Sequence, residues 1–198
     1  MIGPMKKRLI AWFTKETDKP YIIYLLGIIA FFESIIFPVP VDIFTFTLAS
    51  AHPQRWFQYG WVATVFSVLG AVAGYFLGAF LFESFGLKMI EFYGYQEEFQ
   101  RVLELFNQNT FLVMFMAAFT PIPYKVFTIA GGALGVNLLS FITASILGRG
   151  LRFFAETWLP YKYGERFAKG IQKNINTVSW ILAVLFGLYV ILYFLDII

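Results

Sequence analysis

Apolar residues fall in blocks along this chain, and proline or short charged stretches punctuate them. Residues 21–37 form a first apolar arm, interrupted by Glu33 and ended at Pro38-Val39-Pro40. Proline ends a helix because it has no amide donor and its ring clashes with the preceding turn. Residues 41–51 form a second arm, too short to span comfortably, and a polar turn, His52-Pro53-Gln54-Arg55, follows. Residues 59–82 predict a full membrane span. In residues 83–109, Phe99, Val102, Leu103 and Phe106 recur at helical spacing among charges, which predicts an amphipathic surface helix. Residues 110–120 are again a short apolar arm, about 16 Å as helix, ended at Pro121-Ile122-Pro123. Residues 124–136 follow, then spans over 137–159 and 177–195.

Composition turns these blocks into a class. The chain is 59% hydrophobic and only 14% charged, against about 25% charged in soluble domains. Residues 56–82 and 174–195 carry no charge at all, and a spanning helix needs roughly 20 residues. The class is an all-α polytopic membrane protein. There is no cysteine and one histidine, so thiolate metal sites, Cys-attached haem and disulfides are excluded, and no metal or cofactor is expected. A net charge of +3 gives no reason to expect nucleic acid. Lys6, Lys7 and Arg8 precede an apolar stretch, and Ala49-Ser50-Ala51 resembles a cleavage site. The intervening segment is too long for a signal sequence and carries Glu33, Asp42 and Pro-x-Pro. It is read as part of the mature chain, with residues 1–19 a basic, interfacial amphipathic segment.

The two proline breaks resemble each other. FPVPVDIFT (37–45) and TPIPYKVFT (120–128) share Pro38/Pro121, Pro40/Pro123, Phe44/Phe127 and Thr45/Thr128, with Asp42 opposite Lys125. Each is followed by a Gly-punctuated span, SVLGAVAG (67–74) and SILGRGLR (145–152), in which Ala71 matches Arg149 and Gly74 matches Arg152. This pattern predicts an internal duplication, repeat one over about 20–82 and repeat two over about 110–160, whose copies diverged in charge. With each Pro-x-Pro as the tip of a re-entrant helical hairpin, the copies become an inverted repeat, with about three transmembrane helices in all. Residues 161–198 add a basic segment and the last of these. Ten basic residues then lie on the cytoplasmic side with the N-terminus, and only Lys88 and Arg101 lie outside with five glutamates. The positive-inside rule favours this orientation over one in which both motifs are simple crossings.

Five charges remain at depth: Glu33, Asp42, Lys125, Arg149 and Arg152. Glu156 is read as interfacial and Asp196 as C-terminal. Each charge at the bilayer centre costs roughly 2.5–3.5 kcal/mol, so the five are expected to share a cavity or pair with one another. Three cations against two acids suggest an anionic ligand, and arginine suits phosphate. Buried acids suit proton coupling. A static ion-pair cluster joining the two halves is the structural alternative. Gly70, Gly74 and Gly78 are read as a helix-packing face.

The segments FFESIIFPVPVD, FSVLGAVAGYFLG, FTPIPYKVFTIAGG and GRGLRFF resemble the DedA (SNARE-associated, VTT-domain) membrane proteins, close to the short YqaA branch, over about residues 20–160. The resemblance implies two re-entrant hairpins, a multi-pass location in the bacterial inner membrane and translocation of phospholipid or polyprenyl phosphate, with proton coupling. Glu33 and Asp42 match the acids near the first tip, and Arg149 and Arg152 the arginines after the second. The arginines that commonly flank the second tip's proline in the broader family are replaced here by Ala117-Ala118-Phe119-Thr120 and Tyr124-Lys125. The expected function is a lipid transporter rather than an enzyme. A coupled carrier of a small soluble solute and a non-transporting assembly factor stand as alternatives. An intramembrane aspartyl protease lacks its second aspartate, since only Asp42 lies at depth.

Overall fold

The computed structural model describes residues 17–36, 40–86, 90, 92, 96–120 and 123–194, and every long element among them is helical. The hairpin-tip prolines Pro38 and Pro121 and nearly all of the basic N-terminal segment lie outside the described residues. Six α-helices follow in order: α1 (Ile22–Glu33), α2 (Val41–Ala51), α3 (Trp56–Leu81), α4 (Gln96–Phe119), α5 (Tyr124–Ala133) and α6 (Leu138–Phe194). A 3-10 turn, Pro53–Arg55, leads into α3, and a wide π-type turn, Phe82–Gly86, leads out of it.

The two proline breaks share one local geometry. Pro40 precedes α2 at φ −69°, ψ 111°, and Pro123 precedes α5 at φ −61°, ψ 93°. Fixed φ and no amide make proline suited to the residue where a helix begins afresh. The surface helix and the short arm after it join as one element, α4, bent at Asn109 (φ −123°, ψ 20°). The span expected to end near residue 159 instead continues through Pro160 to Gly164, whose φ of 74° breaks the run. Glycine reaches that conformation without steric cost. Helix resumes beyond it to Phe194, covering nearly all of the last expected span.

Pro53–Gly86 and Leu138–Gly164 are long and apolar enough to cross a membrane, whereas Ile22–Glu33, Val41–Ala51 and Asn109–Phe119 are apolar but shorter. The two long helices pack on each other at the centre. Helix α3 also carries α1 and α5, and α6 carries α4 and α2. The second arm of each broken pair therefore lies on the long helix of the other half.

Glycine makes this possible. A Cβ at Gly70 would strike the Phe31 carbonyl, one at Gly78 the Ile129 carbonyl, and one at Gly132 the Tyr75 carbonyl. Gly74 faces Thr128 Oγ1 and the Ser34 carbonyl, and Gly148 faces Ala118 and the Phe115 carbonyl. The glycine face read from the sequence is thus a backbone-contact face against α1 and α5.

The distribution of polarity is inside out. Tyr24, Ile28, Phe32 and Ile36 line the outer side of α1, and Trp61, Val65, Leu69, Phe76 and Phe80 that of α3, all exposed. Ser34, Thr45, Ser67, Thr128, Ser145, Arg149 and Glu156 are buried. Contiguous exposed apolar area on this scale marks a membrane or partner surface.

Gly132→Ala should lower unfolding stability in detergent by about 1–3 kcal/mol, the cost of overpacking a tight contact. Gly150→Ala meets only Thr64 Cγ2 at 3.7 Å and should change stability by less than about 1 kcal/mol. Equal losses at the two positions would contradict the packing described.

Candidate functional site

The first break leaves Glu33 at the end of α1 and Asp42 in the first turn of α2. On α6, Arg149 and Arg152 are three residues apart and so lie on neighbouring parts of one helical face. The structure pairs them one to one. Arg149 Nη2 donates to Glu33 Oε2 at 2.5 Å, and Arg149 Nε donates to Ser67 Oγ at 2.8 Å. Ser67 Oγ lies 2.7 Å from Ser34 Oγ, which is 3.1 Å from the Ala30 carbonyl. The buried Arg149 guanidinium also sits over the rings of Tyr124 (4.9 Å) and Phe153 (4.7 Å). A carboxylate, a hydroxyl and two ring faces together replace the water this cation has lost.

Arg152 makes the second pair. Its Nε donates to Asp42 Oδ1 at 3.0 Å and its Nη2 to Asp42 Oδ2, a bidentate fork. Its Nη1 donates to the Phe119 and Thr120 carbonyls at 3.2 and 2.7 Å. Those carbonyls belong to the end of α4, where Pro123 and the chain break leave acceptors without a helical partner. One side chain therefore ties α2, α4 and α6 together.

Lys125 does not join the arginines. Its Nζ donates to the Ile36 carbonyl at 3.1 Å, beyond the end of α1, and among the described residues no carboxylate lies within ion-pair distance of it. The expectation that Lys125 shares one cluster with Arg149 and Arg152 is corrected by this: its stem is long enough to reach the freed carbonyl across the break, and it stops there. Thr128 Oγ1 reinforces the same junction, 3.1 Å from the Ser34 carbonyl. Pro40 and Pro123 set the starts of α2 and α5, and the Pro123 carbonyl accepts from Val126 N–H at 3.0 Å.

Glu156 is the residue the sequence reading missed. It is buried, with Oε1 3.5 Å from Arg152 Nε and Oε2 3.0 Å from Thr45 Oγ1. It was expected at the interface, outside the cluster; because α6 does not end at 159, Glu156 lies one turn beyond Arg152 on the same face and belongs to the cluster. The signal was present as an Arg-x-x-x-Glu spacing within an apolar helix. With Glu156 counted, three acids face three cations, and the surplus of positive charge inferred from the sequence disappears when all are ionised. Among the described residues no group of His, Asp and Glu could hold a metal ion.

The VTT domain matches residues 39–161, which takes in α2 to α5 and α6 as far as Tyr161 but not α1. The chain belongs to the VTT-domain (DedA) family of membrane proteins. Within that family it is similar to an uncharacterized protein of Haemophilus influenzae, 28% identical over 93% of this chain and 94% of the relative. It is also similar to an uncharacterized protein of Histophilus somni, 30% identical over 91% of this chain and 92% of the relative. No solved structure matches the chain. In this VTT-domain protein the matched region contains Asp42, Lys125, Arg149, Arg152 and Glu156, while Glu33 precedes it.

Removing one partner of a buried pair leaves the other charge unpaired, at about 3–5 kcal/mol. Glu33→Gln and Arg149→Gln should each be strongly destabilising, and the double variant should lose less than their sum, with a coupling of about 0.5–3 kcal/mol. Unfolding in detergent across the full double-mutant cycle measures this. Strict additivity would show that the pair carries no interaction.

Proposed function

We propose that this protein moves an anionic lipid, a phospholipid or polyprenyl phosphate, between the leaflets of the bacterial inner membrane, coupled to protons. The observation that carries the reading is the placement of the two buried arginine–carboxylate pairs. Each joins α6, a long helix of one half, to an arm of the broken pair in the other half. Alternating access moves one repeat against the other around a site at their interface, and paired charges at depth mark substrate or proton pathways; these two pairs lie at that interface. Lys125, half-buried beside the break and without a carboxylate partner among the described residues, is the cation available to a lipid phosphate.

The reading takes the two broken pairs as re-entrant hairpins of an inverted repeat. Support comes from quasi-equivalent contacts: Gly70 meets the Phe31 carbonyl, and its counterpart Gly148 meets the Phe115 carbonyl. Reciprocal packing of α5 on α3 and α2 on α6 supports it as well. The N-terminus and residues 52–55 are then cytoplasmic, and residues 83–109 are external. Because the native chain has no cysteine, single cysteines at Gln54 and Lys88 can be labelled by an impermeant maleimide in intact cells and inverted vesicles. Opposite sidedness is expected; labelling of both from one side would overturn the topology.

The balance of three acids and three cations favours a second reading, in which the pairs only fasten the halves of an assembly factor. Reconstituted vesicles carrying a labelled lipid phosphate decide between the two. Wild-type protein should move the lipid between leaflets, and Lys125→Gln should lower the rate at least tenfold with unchanged protein levels. Failure of every major phospholipid and polyprenyl phosphate to move, with or without a pH gradient, would sink the transport reading.

A further inference from the structure

The hydrogen atoms around Arg152 and Glu156 can be counted. Arginine has five N–H donors, of which Nε carries one. That one is directed to Asp42 Oδ1 at 3.0 Å, so the same Nε, 3.5 Å from Glu156 Oε1, has nothing left to give it. Nη1 gives its two N–H to two carbonyls, and Nη2 gives one of its two to the other oxygen of Asp42; the fifth N–H, the second on Nη2, lies at the far end of the fork from Nε and makes no hydrogen bond to Glu156. What remains within reach of the Glu156 carboxyl is the Thr45 hydroxyl and the Asp42 carboxylate itself, which has no proton of its own to give. The Thr45 hydroxyl owns one proton, and it lies between the Asp42 carbonyl at 2.9 Å and Glu156 Oε2 at 3.0 Å. With Glu156 ionised, two acceptors compete for one proton and a buried carboxylate is left short of donors. With Glu156 protonated, its O–H donates to Thr45 Oγ1 and Thr45 donates to the Asp42 carbonyl, so the competition for the Thr45 proton ends and no unpaired charge is left on the carboxyl.

The charges around it point the same way. Glu156 and Asp42 present carboxyls to one guanidinium, and two such groups sharing a single cation do not both give up their protons readily. The other charges around this point are Arg149 on α6 itself and Glu33 on α1, which already neutralise each other. Helix α3 contributes none, since residues 56–82 are uncharged, and α4 presents the carbonyls of its end.

We propose that Glu156 is the proton-holding carboxyl of this cluster and that Arg152 is the gate on it: the proton leaves when the guanidinium turns from Asp42 to Glu156. The step balances as one proton transfer: the Glu156 carboxylic acid O–H breaks as the Arg152 fork arrives, its proton passes to a water molecule reaching the site, and Glu156 is left as carboxylate while Asp42 stays ionised. The proton also sets the charge the site shows a ligand. With Glu156 neutral, two acids face three cations and Lys125 is in surplus; with Glu156 ionised, the surplus is gone. Only this last use of the proton rests on the lipid-phosphate reading above.

Infrared spectroscopy of the purified protein in nanodiscs tests the assignment without any substrate. At neutral pH the wild type should show the C=O stretch of a protonated carboxylic acid, moved by ¹³C-glutamate labelling and not by ¹³C-aspartate labelling. Glu156→Gln, which copies the neutral form, should fold and lack the band. Asp42→Asn frees Arg152 to pair with Glu156 and should weaken the band at the same pH. Absence of the band in the wild type, its movement with labelled aspartate, or its survival in Glu156→Gln would overturn the proposal. The labelling arm needs no variant, so a misfolded variant leaves the decision intact. A negative leaflet assay would overturn the transport reading separately, since the band does not depend on transport.

Discussion

A helix broken inside a membrane leaves carbonyl groups with no water to bond to, and each must be met from within the protein. This constraint organises the centre of the molecule. The first break frees the Ile36 carbonyl, and Lys125 meets it. The second frees the Phe119 and Thr120 carbonyls, and Arg152 meets both. Ile36 and Phe119 occupy the same position in the two copies of the motif, so equivalent acceptors receive a cation in each. A cation is the apt donor at such a place, because the carbonyl end of a helix carries the negative pole of its dipole. The exchange of Asp42 for Lys125 between the copies then has a physical account. In one copy the cation sits on the motif itself and reaches over. In the other it sits on α6, and the motif supplies the carboxylate that holds it.

Those cations reach their targets only because the helices are close. Glycine at 70, 74, 78 and 132 lets backbone lie on backbone along α3. Where α3 has Ala71 and Gly74, α6 has Arg149 and Arg152. One long helix is therefore a smooth surface that admits Ser34 and Thr128, and the other is the charged one. The asymmetry has a consequence for stability. Contact along α3 depends on shape, while contact along α6 depends on charges that cost several kcal/mol each when unpaired.

Much of this was legible in the chain. Uncharged runs gave the long helices, and Pro-x-Pro gave both breaks, because hydrophobic length and the missing amide of proline act locally. The repeat brought Glu33 and Asp42 into relation with Arg149 and Arg152 before any geometry was known. Two things were not legible. Lys125 has the same formal charge as the arginines, and only the path of the chain across the break shows that its target is a carbonyl rather than an acid. Glu156 reads as interfacial when the span over 137–159 is taken to end just beyond it. Proline in a helix interior kinks or breaks it; here the helix runs on through Pro160 and breaks at Gly164, and Glu156 lies within its packed part, beside Arg152.

That placement changes what the cluster can do. Two fixed pairs would simply lock the halves, because opening either would strand a charge in a medium that penalises it heavily. A third carboxyl beside Arg152 supplies a second resting place for the same guanidinium, 3.5 Å from its Nε. On the proposal above, the arginine can then change partners through a small rotation without ever being unpaired, provided the acid it joins gives up its proton. On the transport reading proposed above, motion between the halves and movement of a proton become one event at this point. The first pair, Arg149 with Glu33, has no such second acid among the described residues and is braced by Ser67, Tyr124 and Phe153. It is built to hold still while its neighbour moves.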